Sequence, residues 1–282
     1  MFEEHKKLNL KLKRPKLLTQ GGFITQNSVT KSYLVYKVLF GAYFLVGFGI
    51  YLYLHGYVQN NIGITMIYLT HWCHKLMSLS FVYNSILVVV RFIQENREKR
   101  ADDNFFEKNG VLTKISWAMS TAANNLAIAV TMVYWSVLFD PNKKRTPLEV
   151  YENYDTHLFQ TVVTLLDIVI SERPWRFCHA IYPELLALVY LVFNVIYVVL
   201  GGENANGEDY IYPILDWNNA PGTAVLWVIL FIVTIVVSQA FLCLFVFIRG
   251  KFFEHLRDKF CDGIEMENFA ETSITDESSY DQ

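Results

Sequence analysis

Long apolar runs constrain this chain more than any other feature of its sequence. A helix needs roughly 20 mainly apolar residues to cross a hydrocarbon core about 30 Å thick. Six segments of the sequence approach or exceed that length, at residues 33–54, 62–92, 115–139, 154–171, 177–200 and 222–248. Backbone polar groups in lipid must be satisfied within the protein, so such runs favour helices over open sheets. We therefore expect an all-α, polytopic transmembrane helix bundle of about six spans.

The composition agrees with a membrane protein and excludes several soluble classes. Of the 282 residues, 53% are hydrophobic and only 18% are charged, whereas soluble proteins carry charge at about a quarter of their positions. The net charge is -3 and no extended basic face remains, which excludes a nucleic-acid binder. The abundance of apolar residues likewise excludes a disordered chain.

The distribution of Lys and Arg predicts the orientation of the spans. Of the 24 basic residues, nineteen lie before the first span, in the second and fourth loops, or after the last span, if Arg91 at the end of the second span is counted with the second loop. Three lie in the third loop, and two, Lys37 and Lys75, lie within spans. Because basic residues in short loops favour the cytosolic side, both termini are expected in the cytosol. The loops at 56–61, 140–153 and 201–221 should then lie outside.

The chain divides into three regions on this basis. Residues 1–32 form a basic cytosolic segment, residues 33–248 form the six-span bundle, and residues 249–282 form a cytosolic tail. After Lys259 the tail contains acidic residues and no basic ones. Such a composition cannot bury a core, so we expect this acidic tail to be disordered.

Polar side chains inside the spans are the best indicators of function, because an ionisable group in the bilayer is unfavourable unless it meets a partner or a cavity. The two densest groups recur at helical spacing, which places each group on one side of its helix. They are Thr70, His71, His74 and Lys75 on the second span, and His157, Gln160, Thr161, Thr164 and Asp167 on the fourth. The simplest interpretation is hydrogen bonding between helices, at about 0.6 kcal/mol for each contact.

A metal site is the first chemical alternative for these residues. His71 and His74 are three residues apart and could share a ligand, but no His-Glu-x-x-His motif or Cys pair accompanies them. Lys75 would also repel a cation. We expect no metal and no cofactor.

Ester hydrolysis is the second chemical alternative. A threonine hydroxyl can attack an ester carbonyl if a neutral imidazole takes its proton. This interpretation makes Thr70 the nucleophile and His157 its base, with His74 as a nearby helper one turn from Thr70. Asp167 would orient the base His157 at most indirectly, since ten residues of helix separate the two. The substrate would be a lipid ester that enters sideways from the bilayer.

Several motifs resemble those of the rolling stone family of multipass membrane proteins. They are the run YLTHW at 68–72, the single His157 before Asp167, and above all the segment YPILDW at 212–217 followed by Pro221-Gly222. The resemblance implies a plasma-membrane protein associated with myoblast fusion. This family is distantly similar to the androgen-induced protein family, whose members hydrolyse fatty acid esters of hydroxy fatty acids with a membrane-embedded Thr and His. By position, those residues would be Thr70 and His157.

Three functions are therefore considered. The favoured one is a non-enzymatic protein of the plasma membrane, with the endoplasmic reticulum as the alternative site, that acts in cell-surface organisation or fusion. The second is the threonine-dependent hydrolase. A transporter or channel is the weakest, because the sequence has no internal repeat and no ring of charge. Membrane lipids are the expected partners, protein partners stay open, and no nucleic acid is expected.

The loop between the fifth and sixth spans has an unusual composition. It contains Tyr210, Tyr212, Pro213 and Trp217 but no Lys or Arg. Aromatic residues of this kind favour the membrane interface over open water. We expect the loop to lie against the mouth of the bundle as a cap, with an ordinary aromatic belt as the alternative.

Overall fold

The computed structural model describes residues 29–98, 110–171 and 173–277, without the side chains of residues 98 and 256–277. Every regular element in these ranges is helical, which confirms the all-α prediction. The helices are α1 (Lys31–Tyr51), α2 (Ile62–Thr65), α3 (Leu69–Glu98), α4 (Gly110–Val133), α5 (Pro147–Tyr154), α6 (Gln160–Ile170), α7 (Ile181–Val199) and α8 (Pro221–Glu277). Most of the predicted basic segment, residues 1–28, lies outside the described ranges.

Short helical turns of other types extend or join these helices. Leu52–Val58 continues α1 as a π-helical turn, Tyr134–Leu138 continues α4 in the same way, and Asp155–Phe159 joins α5 to α6. The 3₁₀ turn Phe177–Ala180 leads into α7. The 3₁₀ turn Pro213–Leu215 lies in the loop between α7 and α8.

Within the described ranges, five helical stretches are long and apolar enough to cross a membrane. They are Lys31–Val58, Leu69–Arg97, Gly110–Leu138, Phe177–Val199 and Pro221–His255. These stretches correspond to the first, second, third, fifth and sixth predicted spans. The polytopic helix bundle is thus confirmed.

The predicted fourth span, residues 154–171, differs from the other five. It is helical, as part of the continuous stretch α5, π turn and α6, but its mean hydropathy does not reach theirs. Its polar residues explain the difference, because they lie on one buried face: Gln160 and Thr164 are 0% exposed. The opposite face, with Val162 43% and Leu166 44% exposed, is apolar. An apolar outer face and a polar inner face are what a membrane helix inside a bundle needs.

Local sequence signals set the starts of several helices. The Thr30 hydroxyl accepts a hydrogen bond from the Tyr33 backbone N–H at 3.3 Å and caps α1. Thr146 and Glu149 form a reciprocal capping box at the start of α5, which satisfies two backbone donors that the first turn leaves free. Pro221 opens α8 at a position where its missing N–H costs no hydrogen bond.

Helix α4 lies at the centre of the bundle and contributes to both of its larger apolar clusters. The first cluster joins α3, α4, α7 and α8, and consists of Leu69, Cys73, Leu126, Ala129, Val130, Tyr190 and Ile235. The second joins α1, α3, α4 and α6, and consists of Phe44, Met77, Phe81, Ala123, Ala127 and Val163. Ala123, Ala127 and Ala129 are 0% exposed. Small residues allow close approach of neighbouring helices, which is how helices associate in lipid.

Helices α1 and α3 approach each other closely at Gly41. A methyl group added there would lie 2.2 Å from the Ser85 hydroxyl oxygen and 2.8 Å from its Cβ. That hydroxyl donates to the Lys37 carbonyl at 2.6 Å and to the Phe81 carbonyl at 2.8 Å. Only glycine fits at this crossing without moving one of the two helices.

The chain divides into two compact units, Met1–Cys243 and Leu244–Gln282. The first unit contains α1 to α7 and the beginning of α8. In the second unit the backbone is helical through Glu277, where composition predicted a disordered tail from residue 249. A helix that is already nucleated extends residue by residue without a new nucleation step, an effect that composition does not register. Residues 278–282 lie outside the described ranges.

Candidate functional site

Four histidines, His55, His71, His74 and His157, gather at the predicted outer end of the bundle, and we call them the histidine cluster. His55, His74 and His157 are at most 8% exposed. The rings of His55 and His71 are 6.4 Å apart, and both contact Tyr51. His71 interacts electrostatically with the three other histidines. The sequence singled out all of them except His55, at the end of the first apolar run.

Two members of the histidine cluster lie in π-helical turns. His55 is in Leu52–Val58 and His157 is in Asp155–Phe159. A third π turn, Tyr134–Leu138, carries the tyrosine ring that stacks on His157. A π turn inserts an extra residue and redirects the side chains around it, and such turns occur frequently at functional sites.

Two carboxylates on the α5 side of the site pair with histidines from other helices. His55 Nε2 lies 2.9 Å from a Glu152 carboxylate oxygen, and His55 Nδ1 lies 3.0 Å from the Asn61 side-chain oxygen. His74 Nε2 lies 3.1 Å from an Asp155 carboxylate oxygen. This distance is that of an ion pair, but the two groups are not aligned for a hydrogen bond. These pairs connect α5 and its π turn to α1 and α3.

Lys75 completes the polar lining of the histidine cluster. Its ammonium group lies 3.3 Å from the centre of the Tyr51 ring and 3.4 Å from His74 Nδ1. A cation over an aromatic face is attracted by the ring quadrupole, most strongly when water is excluded. The described side chains contain no group of three or more His, Cys, Asp or Glu residues arranged to hold a metal ion.

The predicted nucleophile and base are not joined in the described structure. Thr70 is 8% exposed and lies beside Tyr212 of the loop between α7 and α8. His157 stacks on Tyr134, with ring centres 3.4 Å apart and an interplanar angle of 5°. No hydrogen bond connects Thr70 to His157 among the described contacts, and His157 Nδ1 is buried without a partner. Their catalytic roles stay predictions.

The predicted helper, His74, and the predicted orienting group, Asp167, have different surroundings. His74 lies one turn from Thr70 on α3, as the spacing predicted, but its carboxylate partner is Asp155. Asp167 lies in a separate network deeper in the bundle. It accepts hydrogen bonds from Lys37, from Tyr36 at 3.1 Å and from Ser171 at 3.0 Å.

Arg173 is the second cation beside Asp167 and extends this network to α3. Its guanidinium lies 3.3 Å from an Asp167 oxygen and 3.4 Å from the Asn84 side-chain oxygen. Lys37, Asp167 and Arg173 are all at most 3% exposed, so we call them the buried ion triad. The sequence identified Lys37 and Asp167 as embedded but assigned Arg173 to a cytosolic loop.

The loop between α7 and α8 packs against the bundle as the predicted cap. Ile211 is 2% exposed, and the Tyr212 ring lies 5.6 Å from the Tyr68 ring. Trp217 Nε1 donates a hydrogen bond of 2.7 Å to the buried Asn194 side chain of α7. Burial raises the pKa of the Tyr212 phenol to about 12, while its contact with Thr70 opposes that rise. Tyr212 therefore stays protonated at neutral pH.

Comparisons with known proteins agree with the motifs that define the site. The family described as Protein rolling stone matches residues 6–259. Protein rolling stone of Drosophila melanogaster is 27% identical over 197 residues, which is 69% of this chain and 70% of that protein. No solved structure matches. The more distant similarity to the androgen-induced protein family is not shown by these matches and stays a prediction. Because the family match covers nearly the whole bundle, this chain belongs to the rolling stone family of multipass membrane proteins.

Proposed function

We propose that the protein is a non-enzymatic component of the plasma membrane that acts in the cell-surface organisation required for cell fusion. Membership of the rolling stone family supports this proposal, since that family is associated with the plasma membrane and myoblast fusion. The integral membrane location rests on the apolar helices. The plasma membrane, as against the endoplasmic reticulum, is part of the proposal.

One observation carries the proposal: the polar residues considered for catalysis all contact structural partners. Thr70 lies beside the cap residue Tyr212, His74 pairs with Asp155, and His157 stacks on Tyr134. Interhelical polar contacts in lipid stabilise a bundle by about 0.6 kcal/mol each on average. Such contacts account for Thr70 and His74 without requiring a reaction, while His157 Nδ1 is buried without a partner among the described residues. The hydrolase alternative gains no support from this arrangement.

The third predicted loop provides an ordered surface for a partner. The Arg145 guanidinium donates to the Asp140 carbonyl at 2.9 Å and to the Lys143 carbonyl at 3.1 Å, and it stacks 4.7 Å from the Phe139 ring centre. These contacts fix the loop, and Lys143 and its neighbour Lys144 are exposed. A fixed basic surface attracts acidic groups before contact. We therefore expect an acidic protein or lipid as the partner.

A content-mixing assay tests this function. Myoblasts that lack the protein are re-supplied with wild type, with Thr70→Ala, with Lys143→Glu plus Lys144→Glu, or with Lys251→Glu as a single charge-reversal control on the opposite predicted side. Surface biotinylation first establishes equal amounts at the cell surface. We expect wild type, Thr70→Ala and Lys251→Glu to restore mixing, and the double charge reversal to reduce it.

Two results would overturn the proposal. If the protein is never biotinylated in intact cells, it is not a plasma-membrane protein. If Thr70→Ala abolishes mixing at a normal surface level, the Thr70 hydroxyl does chemical work that a non-enzymatic role does not include.

A further inference from the structure

A cavity of about 340 Å³ lies between α4, α7 and α8. Its walls include Val130, Leu188, Trp227 and Phe231, and Tyr212 of the cap lies on its boundary. The volume falls within the range of roughly 300–1,000 Å³ that is usual for sites that bind small molecules. Thr70 and Tyr134 also line the cavity, and Tyr134 stacks on His157, so the cavity adjoins the histidine cluster on one side, although it has no role in the function proposed above.

Most of the polar side chains that border the cavity already have partners in the protein, and Thr70 lies against Tyr212. The Tyr134 hydroxyl donates to the Asn153 side chain at 2.6 Å, and the Tyr190 hydroxyl donates to the Ile67 carbonyl at 2.8 Å. Thr234 donates to the carbonyl four residues earlier in its own helix at 2.8 Å. The surface that remains for a ligand is therefore almost entirely hydrocarbon.

The cavity borders side chains that face the lipid. Leu188 is 54%, Leu230 42% and Ile232 44% exposed on the outside of the bundle, and all three also line the cavity. These residues belong to two stretches that are long and apolar enough to span the membrane. A ligand can therefore enter sideways from the hydrocarbon core without passing through water.

We propose that this cavity holds one acyl chain of a membrane phospholipid. Water is a poor occupant, because each water needs two to four polar partners and most of the side chains that could supply them are already engaged. The bilayer supplies acyl chains at high concentration beside the entrance. Glu184 lines the cavity near the start of α7, and its carboxylate would repel the carboxylate of a free fatty acid. A chain whose head group stays at the membrane interface avoids that repulsion.

Photocrosslinking tests the proposal with the full-length protein in nanodiscs. The probe is phosphatidylcholine with a photoactivatable group midway along one acyl chain. Ala187 lines the cavity, so Ala187→Phe places a ring in the space for the chain. Val189 is 57% exposed and lies two residues along the same helix, which makes Val189→Phe the matched control.

We expect wild type and Val189→Phe to crosslink at residues of α4, α7 and α8 that line the cavity, with saturation at one probe per protein. Ala187→Phe should crosslink at these positions at least about tenfold less, which corresponds to a loss of one decade in affinity. Crosslinks spread evenly over all lipid-facing helices, or equal crosslinking in the two variants, would overturn the proposal.

Two further measurements keep the test decisive. If Ala187→Phe does not elute as a folded monodisperse protein, the wild-type crosslinks form the test. Crosslinks at the cavity-lining residues then support the proposal, and crosslinks spread over all lipid-facing helices overturn it. A photoactivatable fatty acid is compared with the phospholipid probe at equal membrane concentration. Stronger labelling by the fatty acid would overturn the assignment to phospholipid. Because the readout does not involve cell fusion, its failure is distinguishable from failure of the proposed function.

Discussion

Removing the negative charge of the buried ion triad should destabilise the bundle more than removing either one of its two positive charges. Asp167 faces two cations, Lys37 and Arg173, and none of the three side chains is more than 3% exposed. The substitution Asp167→Asn keeps the shape but leaves both cations without a counter-charge. Breaking a buried pair in this way costs about 3–5 kcal/mol. For a protein of this size, that corresponds to a fall of roughly 6–20 °C in melting temperature.

Lys37→Met should have a smaller effect, because Asp167 and Arg173 remain paired after it. The loss is then one charge-assisted hydrogen bond, about 1.5–3 kcal/mol. The sharpest expectation concerns the double variant. In the Asp167→Asn background, Lys37→Met removes an unpaired buried cation and should raise stability, although the same change lowers it in wild type. Coupled neighbours of this kind show interaction free energies of about 0.5–3 kcal/mol.

A thiol-reactive fluorescent dye reports this unfolding in detergent. Cys73 on α3 is 0% exposed and reacts only when the bundle opens, so the variants are made with Cys178, Cys243 and Cys261 replaced by Ser. Glu203→Gln, at an exposed position, serves as the matched control and should melt like wild type. If Asp167→Asn melts within about 2 °C of wild type, or if Lys37→Met destabilises both backgrounds equally, the triad is not a coupled buried network.

Three other predictions concern the crossing of α1 and α3, the topology and the cap. Gly41→Ala should lower the melting temperature in the thiol assay, because its Cβ would lie 2.2 Å from the Ser85 hydroxyl. Adding Ser85→Gly should recover part of the loss, and no recovery would refute the steric cause. A cysteine at Asn206 should react with an impermeant thiol reagent in intact cells, and a reaction seen only after permeabilisation would contradict an outer loop. Trp217→Phe removes the 2.7 Å bond to Asn194 and should speed limited proteolysis of the loop, whereas an unchanged rate would show that this bond does not hold the cap.

The span positions could be predicted from sequence because lipid imposes a simple rule on length and polarity. Even the weakest run, at 154–171, was predicted to carry a polar stripe, and Gln160, Thr164 and Asp167 are buried on one face. The hydropathy of this run alone could not decide whether it spans the membrane. A helix with a polar inner face carries the same average composition as an ordinary amphipathic helix, and only its packing tells the two apart.

The partners of the site residues were harder to predict. The spans contain Lys37 and Lys75, and the fourth run contains Asp155 and Asp167, so a search for counter-charges could have suggested that these residues pair. The pairing itself depends on which helices pack together. Lys37 does meet Asp167, but Asp155 lies against His74.

The contributions of His55 and Arg173 were missed for two different physical reasons. His55 enters the histidine cluster because a π-helical turn extends α1, and apolar periodicity does not reveal where an extra residue is inserted. Arg173 was counted as a loop residue by its position in the chain. In the structure it is 3% exposed and contacts Asp167 and Asn84, since residues just after α6 turn back into the bundle.

A non-enzymatic role depends on whether the Thr70 hydroxyl reacts. Purified wild type and Thr70→Ala are incubated with a fluorophosphonate probe and with a panel of lipid esters, including fatty acid esters of hydroxy fatty acids. Thr70 lies beside Tyr212 and has no hydrogen bond to His157 among the described contacts, so we expect neither labelling nor hydrolysis by either protein. Labelling and ester turnover by wild type that disappear in Thr70→Ala would contradict a non-enzymatic role.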